Sequence, residues 1–84
     1  MKDYELYMEM IRRSVNRINK NIEDIENDDT DRLALIHIGL ELRSIQAIID
    51  EAYDLRRITY NSYHLLNKWR YRYYDRVVKH IIWL

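Results

Sequence analysis

The chain has no cysteine, no proline and a single glycine, Gly39. Without cysteine there are no disulfides and no thiolate-ligated metals, which excludes a small secreted scaffold stapled by bridges. Without proline and with one glycine, the turn residues that sheets and loop-rich folds require are missing. Long apolar runs are missing too. The longest are four residues, Leu33–Ile36 and Ile81–Leu84, far short of a bilayer span. The opening "MKDYELYMEM" carries acids where a secretory leader would need an apolar stretch. Together these absences point to an intracellular, cytoplasmic protein. Net charge is absent as well, with 14 basic residues against 14 acidic ones.

What remains is helix-forming. Across 84 residues the chain is 48% hydrophobic and 33% charged, too apolar for disorder and short enough for one domain, residues 1–84. Tyr4, Met8, Ile11, Val15, Ile18, Ile22 and Ile25 follow alternating steps of four and three, the seam of a coiled-coil-like helix. Glu9–Arg13 and Lys20–Asp24 are spaced to pair along that helix. "ENDDTD", Glu26–Asp31, breaks the pattern, with Asp29 or Thr30 able to start the next helix.

The second segment carries two stripes: Leu35, Ile38, Leu42, Ile45, Ile49 and Ala52 on one side, and Leu33, Ile36, Leu40 and Ala47 roughly opposite. That pattern predicts a central helix with neighbours on two sides. Gly39 within it costs about 1 kcal/mol against alanine, so a close-packed aromatic ring or another backbone is expected beside it. After Arg57 the boundary stays open. Three helices over about 3–26, 30–56 and 59–83 give a three-helix bundle, with Thr59, Asn61 or Ser62 as caps. The alternative is an extended helical hairpin in which helices two and three fuse into a rod of about 80 Å.

Charge is unevenly distributed. Met1–Asp31 holds five basic and nine acidic residues, whereas Ile58–Leu84 holds five basic and one acidic. Within the last segment, Lys68, Arg72, Arg76 and Lys79 form one basic stripe at helical spacing. Trp69, Tyr73, Val77, His80 and Leu84 form a packing stripe beside it, and Tyr71 and Tyr74 lie at the flanks. Arginine stems cover apolar surface while their heads fork onto carboxylates, so pairing with the acidic first helix is expected. A basic stripe with flanking rings can also hold phosphates and stack bases.

Catalysis finds little support. No cysteine nucleophile, glycine-rich phosphate loop or Glu-x-x-His metal pair is present, and His37 with Glu41 offers only two ligands. Six residues separate Arg57 from His64, which resembles the spacing of the helical HEPN ribonucleases. Ile58 stands where that family usually has a polar residue, and the chain is shorter than its domains. A helix-turn-helix around Gly39 would require a small residue where Leu35 stands.

The sequence is therefore read as a small non-catalytic interaction protein of accessory, inhibitor or adaptor type, without cofactor or metal. It binds a larger protein and also itself, most simply as a two-fold dimer. Trp69, Arg72, Tyr73, Arg76 and Trp83 are the expected contacts, with Leu6, Tyr7 and Met10 as a second patch. The alternative is nucleic-acid binding through Lys68, Arg72, Arg76 and Lys79, with Tyr71 or Tyr74 stacking. A membrane surface is the weakest reading of "VVKHIIWL".

Overall fold

The computed structural model describes residues 2–27 and 32–82. Three helices account for nearly all of them: α1 (Lys2–Asn27), α2 (Arg32–Asp54) and α3 (Tyr60–Ile82). They form an elongated three-helix bundle measuring 42 × 19 × 16 Å. The expected start of α2 at Asp29 or Thr30, and the expected contact Trp83, lie outside the described residues.

The heptad step in α1 sets the deepest contacts. Ile11, Ile18 and Ile25, seven residues apart, are all buried against α2. They meet Ala34, Ile38, Ile45, Ile49 and Ala52 of α2. Complete burial of an isoleucine contributes about 1.5–3 kcal/mol, and Ile18, Ile45 and Ile49 reach 0% exposure. Ala34 and Ala52 let the two helices approach closely near their ends. Ser14 is fully buried between them, its Oγ accepting from Arg17 Nη2 at 3.1 Å. Arg17 also forks onto Glu41 of α2, at 2.7 and 3.1 Å. This pairing holds the Glu41 carboxyl below its usual pKa range, through the hydrogen bond first.

A local device separates α2 from α3, so the fused rod is not formed. Arg56 adopts a left-handed backbone, φ 56°. Its N–H donates to the Tyr53 carbonyl (2.9 Å), and the Arg57 N–H donates to the Ala52 carbonyl (2.8 Å). This is a Schellman stop with arginine where glycine is usual. Thr59 then starts α3: its Oγ1 accepts from the Ser62 N–H at 3.1 Å, and its carbonyl accepts from the Tyr63 N–H at 2.9 Å. Ile58, just before the cap, is buried, and half-buried Tyr63 packs on the same core, the positions of a hydrophobic staple.

Helix α2 is central, as its two stripes imply, but the neighbours do not cover those stripes. Both α1 and α3 pack on the side carrying Ile38, Ile45 and Ile49 and on its margins. The opposite stripe faces outward, with Leu33, Ile36 and Leu40 at 61%, 59% and 53% exposure. The reason is geometric: two helices at 8–10 Å spacing fit side by side over one broad face of a third. Gly39 also departs from expectation, because a Cβ placed there would meet nothing within 4 Å.

Candidate functional site

Helices α1 and α3 both lean on α2 and barely meet each other. Where they diverge, an apolar groove runs between them. One section, about 480 Å³, is lined by Tyr4, Met8, Ile11 and Val15 of α1 and by Trp69 of α3. A second, about 300 Å³, lies further along, between Asn19 and Ile22 of α1 and Tyr73, Arg76 and Val77 of α3. His80 and Glu26 tie the far end together at 2.9 Å. The groove follows from the sequence step of α1. Residues that alternate with the buried isoleucines, namely Met8, Val15 and Ile22, turn toward α3 and are only half covered.

On the α3 wall the Trp69 and Tyr73 rings stack, 5.2 Å apart and 8° from parallel. Tyr73 is 8% exposed, and its hydroxyl has no hydrogen-bond partner among the described residues. Burial pushes that phenol above its ordinary pKa, and the nearby Arg76 charge partly opposes the shift. Arg76 lines the second section of the groove, and Arg72, one turn before it on α3, is exposed. Neither forms an ion pair among the described residues, so the expected pairing of these arginines with α1 does not occur. Three observations explain this. The acidic excess of the first segment is concentrated in residues 28–31, beyond α1. Within α1, Arg12 and Arg13 occupy Glu9 (2.6 and 3.4 Å), and Arg17 takes Glu41. Among the described residues, the charged contact between α1 and α3 is Glu26 with His80. Glu9–Arg13 pairs as its spacing implies, whereas Lys20–Asp24 forms no ion pair among the described residues.

The expected contact residues therefore divide. Trp69, Tyr73 and Arg76 line one wall, with Tyr73 as part of the core rather than the surface, and Arg72 is exposed on the same helix. The second patch is split: Leu6 is exposed, Tyr7 packs against the core, and Met10 sits half-buried across from Ala47 and Ile48. Within the basic stripe, Lys68, Arg72 and Arg76 remain unpaired among the described residues, and Lys79 holds Asp75 at 2.9 Å. Tyr71 is 66% exposed, but Arg70 lies over its ring, 4.4 Å from the centroid. Tyr74 leans into the α2–α3 surface beside Leu35, Gly39 and Val78.

One cluster escapes the sequence pattern. Tyr53 stacks on Tyr63 at 4.2 Å, with Tyr60 edge-on to Tyr53 at 6.2 Å and His64 alongside Tyr60 at 6.3 Å. The Tyr63 hydroxyl donates to Asp50 at 3.1 Å. These contacts close the α2–α3 corner. No helical period reports them, because the corner intervenes between Tyr53 and Tyr63.

Among the described residues no group of three His, Asp or Glu side chains gathers as a metal site. Glu41, one helical turn from His37, is committed to Arg17. Arg57 sits in the corner and His64 on the exposed side of α3. None of the described helices is long and apolar enough to cross a membrane. No family model, curated protein or solved structure matches the chain.

Proposed function

We propose that this chain is a non-catalytic interaction protein that receives an amphipathic helix of a larger protein in the α1–α3 groove. An intracellular setting suits a chain without cysteine. The carrying observation is the open seam itself: an apolar floor of Met8, Val15, Ile22 and Trp69 left half-covered by this chain, with unpaired Arg76 on one wall and unpaired Arg72 exposed one turn before it. A groove of this form suits a helix presenting apolar residues at i, i+3, i+4 and i+7. Arg72 and Arg76 select acidic residues on one flank of that helix, while the facing Glu9–Arg12 pair is already neutralised. Tryptophan, tyrosine and arginine are the residue types that concentrate binding energy at such sites.

Affinity capture from the native host tests this, with the wild-type chain and the doubly reversed Arg72→Glu/Arg76→Glu variant. Both exposed substitutions leave helix content unchanged. The expected result is a protein held by the wild type after nuclease treatment and lost by the variant. That protein should cross-link to a photoreactive side chain placed at Arg12. A partner retained equally by the variant, or cross-linked elsewhere, overturns the reading.

A second reading rests on a specific observation, the exposed and unpaired stripe of Lys68, Arg72 and Arg76 beside Tyr71. It describes a polyanion held by phosphate contacts with a ring as stacking platform. Arg70 over Tyr71 and the zero net charge count against it. Binding of single- or double-stranded oligonucleotide that falls steeply with salt would support it. No binding at low salt ends it.

A further inference from the structure

Another seam of the bundle, between α2 and α3, holds a groove of about 320 Å³ whose lining changes character along its length. The two helices turn back on each other at the corner, so residues equally far from it stand side by side. Arg43 lies eleven residues before the end of α2, and Arg70 lies ten after the start of α3. Both cations, with Gln46 beside them, therefore line the end nearer the corner. Leu35, Val78 and Ile81 line the far end, about 15 Å away at 1.5 Å per residue. Among the described residues no acidic side chain lines this groove, and neither arginine forms an ion pair. Arg70 Nε donates to Asn67 at 3.3 Å and its guanidinium lies over the Tyr71 ring, which leaves its terminal nitrogens without a carboxylate. Gly39 lines the groove between the two ends. A glycine inside a helix is unfavourable relative to alanine, and a Cβ at this position would meet nothing within 4 Å. The missing side chain keeps the middle of the groove open.

We propose that this groove binds a single-chain aliphatic carboxylate, of the fatty-acid class, with its head between Arg43 and Arg70 and its chain running past Gly39 toward Ile81. The lining selects that occupant. Guanidinium forks match the two oxygens of a carboxylate, and the Gln46 amide adds a neutral donor. Leu35 and Tyr74 are 42% and 50% exposed, so a chain laid along them removes apolar surface from water. An extended carbon chain advances about 1.2 Å per bond, so the span between the two ends takes an acyl chain of about twelve carbons. A helix, about 10–12 Å across, is too wide for the furrow between two helices in direct contact. The site shares no residue with the α1–α3 groove, so it stands whether or not that groove receives a helix.

Isothermal titration calorimetry of the full chain with sodium dodecanoate, below its micelle concentration, tests the proposal. One dodecanoate should bind per chain, saturably. Butyrate, a head with little chain, and dodecanol, a chain without charge, should each bind at least about tenfold more weakly. Dodecyltrimethylammonium, with the opposite charge, should not displace dodecanoate. Gly39→Leu places a side chain in the open space of the groove and replaces the helix's least favourable residue. It should melt no lower than the wild type and lose dodecanoate binding. Arg43→Gln/Arg70→Gln should weaken dodecanoate by about tenfold or more and leave dodecanol unchanged. Arg72→Glu/Arg76→Glu, aimed at the other groove, should bind dodecanoate like the wild type. Absence of saturable binding overturns the proposal, as does binding indifferent to Gly39→Leu or to the loss of both groove arginines. Equal displacement by the cationic amphiphile would mean adsorption of detergent in general and overturns it too.

Discussion

Replacing Tyr73 with phenylalanine should make the protein more stable, although it deletes a polar atom from a native side chain. The hydroxyl is buried at 8% residue exposure and has no partner among the described residues. Leaving a buried donor unsatisfied costs about 1–3 kcal/mol relative to its hydration in the unfolded chain. Tyr73→Phe removes that cost and keeps the ring, its stack on Trp69 and its place beside Val77. A few dispersion contacts of one oxygen are lost in return. The net gain should be about 1 kcal/mol, which for a chain of this size raises Tm by roughly 4–8 °C. Tyr63→Phe is the matched control. Its hydroxyl donates to Asp50, so the same chemical deletion should cost about 0.5–1.5 kcal/mol. Thermal melts by circular dichroism on the three proteins decide the matter. The two substitutions must move Tm in opposite directions. A fall in Tm for Tyr73→Phe would mean that the hydroxyl is satisfied in solution, and the argument from its burial would be lost.

Further outcomes follow from charge and from the corner. The raised pKa of Tyr73 means that its phenol ionises first in the unfolded chain, so stability should decline above about pH 10. Tyr73→Phe should reduce that decline in alkaline urea titrations. Glu41 behaves oppositely: its carboxyl is depressed by Arg17, so its contribution is present above 4.5 and is lost as pH falls through the folded value. Glu41→Gln should therefore be less stable at neutral pH and show a shallower acid transition. At the corner, Arg56→Gly should stabilise by about 0.5–1 kcal/mol by relieving the left-handed backbone, net of the greater freedom of the unfolded chain. Thr59→Ala should cost about 1 kcal/mol, because it orphans the Ser62 N–H. Ile45→Ala, at a position with 0% exposure, should cost about 2–5 kcal/mol by chevron or equilibrium unfolding.

Much of the fold is legible from spacing alone. The 4-3 pattern of α1 names Ile11, Ile18 and Ile25, and the end of α2 at Asp54 and the start of α3 at Tyr60 fall within about two residues of the expected ones. Period reports which side of a helix is apolar, but not which neighbour covers it. That is why the outer stripe of α2 reads as a second packing face although it is open to solvent. The α2–α3 boundary is obscure because the stop is made by Arg56, a residue that ordinarily continues helices, and only the backbone geometry betrays it. The candidate site is legible in part: helical spacing places Trp69 and Tyr73 on one stripe and Arg72 and Arg76 on the next. Its other wall, Met8 and Val15, depends on how far α1 and α3 spread, which is a property of packing between segments distant in sequence.

The corner has a topological consequence. The turn between α2 and α3 depends on the backbone of one non-glycine residue, and the residues around it favour helix. Rotating Arg56 into the right-handed region would join α2 and α3 into a continuous rod and carry α3 away from its own α2. A second molecule could then supply the missing helix, and the exchanged pair would repeat nearly every contact of the bundle between chains instead of within one. Arg56, a helix stop by its left-handed backbone, is therefore the position on which such an exchange would turn, and the glycine that relaxes it would favour the unexchanged form.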